Sequence, residues 1–269
     1  MIFKKLFKRM LKSIDIVALH LEDFFAEVGK YGKLLWWSVL SLTDFSTYGE
    51  NTIKRMKFIG IRSLPIVFLT AAFMGMVEAV QVLYSLEDRA PYYLVGSVVV
   101  ESIILELGPV LTALILAGRV GASIAAEVGT MRVTEQIDAL EVIGFNPVAY
   151  LVVPTLIAGL VMVPVLTMFA NVVGSISGWL ISILTVNLST AEFLKGARRF
   201  FLSWDLTYGL IKSAVFGFFI SANAAYVGFF TTGGAEGVGK ATTRSVVLSC
   251  VMILILDYFM AQFLLKIGY

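Results

Sequence analysis

The chain has 269 residues, of which 58% are hydrophobic and 15% charged, with a formal net charge of +2. Its mean hydropathy of +0.88 lies well above that of soluble domains, so it reads as an all-α integral membrane protein without a large soluble lobe. Cys250 and His20 are the only residues of their kinds, which excludes an intrachain disulfide and leaves no donor set for a zinc or haem centre. No cofactor is expected. No linker or composition break divides the chain, and it reads as one domain, 1–269, with interfacial and elbow helices over 1–60 and a transmembrane core over 61–269.

The opening is basic: Lys4, Lys5, Lys8, Arg9 and Lys12 stand in the first dozen residues without an acid among them. Ile2, Phe3, Leu6, Phe7, Met10, Leu11 and Ile14 recur opposite them at helical spacing, which predicts a helix lying in the membrane interface over 1–21. Its lysines favour an anionic inner-leaflet surface. Charges interrupt the apolar run and no small-residue cleavage site follows, so the segment reads as retained rather than as a signal peptide. Residues 24–42 carry Trp36 and Trp37, which suit the headgroup zone. Residues 43–62 turn polar again, and Lys54, Arg55, Lys57 and Arg62 mark a cytoplasmic approach to the first span.

That span is predicted over 64–86, about the twenty residues needed to cross the hydrocarbon. Leu69, Phe73, Val77, Val80 and Tyr84 fall on one stripe of it, a pattern shared by packing, lipid-facing and cavity-lining residues. Glu78 lies inside it, and an ionisable group at such depth is costly unless it is paired or opens on a cavity. A turn at 85–93 leads into the second span, from 94 to about 117.

The segment 105–147 organises the chain. Its first part is apolar but carries Glu106 at its head and Arg119 at its foot. From 131 to 144 the charged or polar Arg132, Thr134, Glu135, Gln136, Asp138 and Glu141 alternate with Val133, Ile137, Leu140 and Ile143 at helical spacing. This predicts a short amphipathic helix, ended by Gly144 and by Asn146-Pro147, that is either a solvated loop helix or a surface on which a partner docks.

Residues 148–184 are apolar over a length of about 55 Å if helical, against about 30 Å of hydrocarbon. Pro154 and Pro164 are candidate kinks, and Gly174 to Gly178 is a GxxxG at which a second helix can approach closely. One long span gives five in all, whereas two short ones give six and place Lys195, Arg198 and Arg199 in the cytoplasm. The last spans are predicted over 206–230 and 246–265. Between them, Gly234, Gly239 and Lys240 imitate a phosphate loop, but Ala241 stands where a magnesium-binding hydroxyl is required and no strand precedes it. The stretch reads as a tight loop held at a membrane face by Lys240 and Arg244. A nucleotide-driven activity would need a second polypeptide.

The stretches ELGPV, AGRVGASIAAEVGTMRVTEQIDALE, ATTRSVV and LDYF resemble the MlaE-type permeases, membrane subunits of ABC transporters that work with MCE-domain proteins to move phospholipid across the Gram-negative envelope. The resemblance runs from about residue 60 to the C-terminus. It implies five spans, a C-terminus in the periplasm, a location in the inner membrane, a homodimer enclosing a lipid cavity, and no enzymatic activity in this chain. It also implies that 134–144 is the cytoplasmic coupling helix, with Thr134, Glu135, Gln136, Asp138, Leu140 and Glu141 meeting a separate ATPase. Leu69, Phe73, Val77, Val80 and Tyr84 become candidate cavity walls. Glu106 and Lys212 match charged positions near the lipid headgroup, and both stand in apolar segments where mutual neutralisation is the simplest relief. Either single charge change is therefore expected to impair transport or assembly, and exchanging both charges to recover assembly at least partly. The family often has an Arg where this chain has Leu105, which implies either that Lys212 serves both Glu106 and the lipid or that headgroup selectivity differs.

The runner-up is an ion-coupled secondary transporter using Glu78, Glu101, Glu106, Lys212 and Asp257 as a relay. No repeat between the two halves supports it. An intramembrane enzyme ranks last, for want of a recognisable nucleophile and base.

Overall fold

The computed structural model describes residues 22, 25–43, 45–86, 91–186 and 188–268, and every element among them is helical. The interfacial helix expected over 1–21 and the centre of the turn expected over 85–93 lie outside the described residues. Helix α1 spans 25–40 and α2 spans Phe45–Ile59. A short 3-10 link, Ile61–Ser63, leads into α3, Leu64–Leu86. The next column is built from α4 (Leu94–Ser102), α5 (Gly108–Leu116) and α6 (Ala122–Val133), joined by π-helical turns at Ile103–Leu107 and Ala117–Gly121. The short α7 is Gln136–Val142. A π turn at Val148–Val152 opens α8, Val153–Val186, followed by α9 (Thr190–Arg199), α10 (Ser203–Phe229) and α11 (Gly234–Gly268).

Among the described residues, five helical columns are long and apolar enough to cross a membrane: Tyr48–Leu86, Leu94–Val133, Val148–Val186, Ser203–Phe229 and Gly234–Leu264. The long apolar stretch after α7 is thus a single span, and the five-span alternative holds. Pro154 and Pro164 do not divide it. Pro154 follows directly on the π turn, whose wider hydrogen-bond register accommodates its missing N–H, and Pro164 is carried inside the continuous helix.

Two boundaries differ from expectation. The second span continues to Val133, because the π turn at Arg119 carries the helix on instead of ending it. The glycine-rich stretch before the last span is not a loop: it is already helical from Gly234, so Lys240 and Arg244 sit on the first turns of α11. The turn is confined to residues 230–233, made by Gly233 and Gly234 at φ of 91° and 63°. Lys240 then pairs with Glu236 one turn back at 2.7 Å, and Arg244 pairs with Glu27 of α1.

Column α8 is the centre of the bundle, packed by α3 on one side and by α10 on another. The GxxxG read from the sequence is the α3–α8 contact: a Cβ on Gly75 would lie 2.0 Å from the carbonyl oxygen of Gly174. The main core runs through Leu116, Ile124, Leu166, Phe216 and Ile220, all essentially inaccessible. In a bilayer such helix contacts rest on close packing rather than on escape from water, which is why small residues occupy them.

Candidate functional site

Glu106 lies in the π turn between α4 and α5, and Lys212 lies in α10. Lys212 Nζ donates to Glu106 Oε2 at 2.7 Å, to the Tyr208 hydroxyl at 3.3 Å and to the Leu105 carbonyl at 3.4 Å. Asp257 Oδ1 on α11 is 2.7 Å away as an ion pair, without hydrogen-bond alignment. Tyr208 in turn donates to Glu106 Oε1 at 3.3 Å. The Leu105 carbonyl can serve as acceptor because Pro109, four residues on, has no N–H to claim it. Three spans thus meet at one ammonium.

The cluster contains one cation and two carboxylates. Lys212 has no exposed side-chain surface, whereas Glu106 retains 46% of its own. In this arrangement the Lys212 protons are directed at Glu106, Tyr208 and Leu105. What the cluster presents outward is the Glu106 carboxylate. The residues of the expected ion relay do not form one chain: Glu106, Lys212 and Asp257 are together, Glu101 lines a separate small pocket with Asp205, and Glu78 makes no ion pair among the described residues.

At the opposite end of the same column the backbone breaks. Glu135 adopts φ 59°, ψ 15°, the left-handed region unusual for a residue with a side chain. The break turns α7 away from α6 and is braced by an Arg132–Asp138 ion pair of 2.6 Å. As the sequence predicts, α7 ends at Gly144, at φ 86°, with the Gly144 N–H bonding to Glu141 O and the Phe145 N–H to Leu140 O. Asn146 then caps the next span, its side-chain oxygen accepting from the Val148 and Ala149 N–H groups.

The chain matches the family Permease MlaE over residues 52–263. It belongs to the MlaE permeases. A probable ABC transporter permease of Rickettsia prowazekii is 38% identical over 96% of this chain and 100% of that protein. A probable ABC transporter permease of Synechocystis is 42% identical over 79% of this chain and 81% of its own length. The protein named intermembrane phospholipid transport system permease MlaE in Haemophilus influenzae is 31% identical over 91% of this chain and 95% of that one. This chain is a multi-pass permease subunit of the ABC transporter class.

In this MlaE permease, Thr134, Glu135, Gln136, Asp138 and Glu141 are all exposed. Leu140 is different: it is half-buried and packs, with the fully buried Ile137, on the chain's own core. The inner stripe of α7 thus fastens the helix to the bundle. The exposed apolar residues here are Val142, Ile143 and Phe145, of which Val142 and Phe145 were missed because they fall outside the three- and four-residue repeat. Leu69, Phe73, Val77, Val80 and Tyr84 are all exposed along α3, with Tyr84 the most at 81%. They share one open face, and none of them bonds to the Lys212 cluster. Tyr208 and Leu105 were missed as partners of Lys212. Spacing could have found Tyr208, one helical turn before Lys212, and Pro109 pointed to the freed carbonyl.

Proposed function

We propose that this chain is the permease of an ABC transporter that moves phospholipid between the inner membrane of a Gram-negative bacterium and a periplasmic MCE-type carrier. Two copies form the lipid cavity, and a separate ATPase drives them. The observation that carries the reading is α7: an acidic, exposed helix between two spans, with Glu135, Gln136, Asp138 and Glu141 outward and Ile137 anchored in the core, in a chain whose only phosphate-loop-like stretch is helical. A motor on another polypeptide needs such a rigid handle. The name of the Haemophilus relative supports phospholipid as the cargo.

In this reading the α7 end faces the cytoplasm. The open α3 face from Leu69 to Tyr84 lines the cavity, with the acyl chains against it. Glu106, backed by Lys212, stands at the polar part of that cavity. A lone lysine would attract the phosphate, but a cluster with two carboxylates around one ammonium favours the cationic part of a zwitterionic headgroup near Glu106. The single domain over 1–269 follows from the same reading, with its first 60 residues flanking the core.

The test is reconstitution of the chain with its ATPase and carrier in proteoliposomes containing labelled phosphatidylethanolamine, with p-benzoylphenylalanine at Tyr84. ATP-dependent transfer and lipid capture at Tyr84 are expected. Transfer without any lipid capture would remove the α3 face from the route, and absence of ATP-dependent transfer in an assembled complex would overturn the function.

A further inference from the structure

The α7 end holds a pocket, walled largely by charged side chains, that is separate from the Lys212 cluster. A pocket of about 530 Å³ opens where α2 meets α6 and the start of the third span, and Lys57, Phe58, Arg62, Glu127, Met131 and Tyr150 are among its walls. Two of its cations are neutralised: Lys54 pairs with Glu50 at 2.8 Å, and Arg55 holds both oxygens of Glu127 at 2.5 and 2.8 Å. Lys57 and Arg62 meet no carboxylate among the described residues. Arg119 adds a third such charge. Its guanidinium donates to the Ser63 hydroxyl and lies 5.9 Å from the centroid of Phe58, whose ring has Arg62 at 5.7 Å.

Cations held around one aromatic ring at the foot of an apolar helix repel one another, and a bound anion relieves that repulsion. The surroundings say what kind of anion. Helical spacing from Arg62 leads to Ile66, Leu69 and Phe73, all exposed, so an apolar track begins where the positive charge ends. A free anion has no use for such a track, and an acidic protein segment would have to follow it into the hydrocarbon.

We propose that this pocket binds the phosphate of a phospholipid in the leaflet on the α7 side, with Lys57 and Arg62 on the phosphate oxygens and the acyl chains along Ile66, Leu69 and Phe73. The site lies at the other end of the column from Glu106. It shares with the proposed function the class of ligand and the lower part of the α3 face, Leu69 and Phe73, but Lys57 and Arg62 belong to this site alone, and a lipid can be retained here whether or not it is the one transported.

The full chain, purified in detergent and mixed with dioleoylphosphatidylglycerol, would be read by native mass spectrometry. Each cation near an anionic headgroup is worth about fivefold in binding, so Lys57→Gln with Arg62→Gln should lower lipid retention by more than about tenfold. Arg62→Lys should keep most of the retention, and Lys240→Gln, whose lysine is paired elsewhere, should leave it unchanged. Retention in the double variant equal to that of the unaltered chain overturns the proposal. So does full displacement of the lipid by millimolar inorganic phosphate, which would mark a free-anion site, or loss of ATPase co-purification with lipid retention unchanged, which would mark a protein interface. Because the double variant can fail to fold, p-benzoylphenylalanine at Phe58 of the otherwise unaltered chain supplies a second reading: capture of phosphatidylglycerol is expected, and a monodisperse protein that captures none overturns the site. ATP-dependent transfer in proteoliposomes, measured separately, shows whether the transport reading stands or falls with it.

Discussion

Lys212 is wholly enclosed and Glu106, 2.7 Å from it, is nearly half exposed. The two partners of this ion pair therefore do unequal work. Removing Lys212 strands two carboxylates in an apolar setting, and losing one partner of a buried pair costs about 3–5 kcal/mol. Lys212→Met should abolish the folded, monodisperse protein or lower its melting temperature sharply. Glu106→Gln should be milder, since Asp257 still faces the ammonium. Equal losses for the two in a thermal melt would contradict this asymmetry.

The same geometry revises the expected outcome of a charge exchange. In Glu106→Lys with Lys212→Glu, the new glutamate faces Asp257, so assembly should remain impaired. Adding Asp257→Asn should restore part of it, because a like-charged pair then disappears. Full recovery by the double exchange alone, measured as yield of monodisperse protein, would mean that Asp257 does not contribute.

On α7 the exposed and the anchored residues should separate experimentally. Glu135→Lys with Asp138→Lys should prevent co-purification of the ATPase while the protein stays folded. Val142→Asp or Ile143→Asp should weaken the same interaction by about 2 kcal/mol if either is a central contact. Leu140→Ala should instead reduce the thermal stability of the chain, as expected for a residue packed on its own core. An intact ATPase complex in the lysine variant would refute the assignment of α7.

The close approach of α3 and α8 predicts a sharp size limit. Gly75→Ala places a carbon against the Gly174 carbonyl, and the helices must separate to admit it, at a cost of about 1–3 kcal/mol. Gly118→Ala, where nothing lies within 4 Å, should be nearly silent. Melting temperatures of the two variants in the same detergent decide the matter.

At the far end of α8 the start of α9 carries a pH signature. The Ser189 hydroxyl, 2.8 Å from Glu192, and then the Ser189 backbone N–H hold the Glu192 carboxyl below the usual carboxylate range. A carboxylate depressed on folding contributes stability above its unfolded value of about 4.3 and loses it as pH falls through the folded value. Amides in the first turn of α9 should therefore exchange faster on acidification, after correction for intrinsic rates. Ser189→Ala should remove most of that dependence.

Much of the architecture followed from local chemistry. Apolar length marked where spans lie, although it left 148–184 open to one or two; the Thr134 to Gly144 pattern announced α7, and Gly144 with Asn146-Pro147 marked its end, because hydrocarbon thickness and backbone preferences act on neighbouring residues. The apparent contradictions in Pro154, Pro164 and the glycines before Lys240 were also local, but packing overrode them: a proline beside a π turn or held by neighbours need not break a helix, and two glycines suffice for a turn. Only the tertiary structure decided which charges meet. Tyr208 and Lys212 of α10 and Asp257 of α11 are brought to the turn that holds Leu105 and Glu106 by two other spans, and nothing in residue spacing sets the rotation of one helix against another. It also decided that Ile137 and Leu140 anchor α7 inward while Val142 and Ile143 remain outside, since the left-handed turn at Glu135 rotates that face. Charge type and periodicity are written along the chain, whereas partner choice depends on the azimuth at which packed helices face each other.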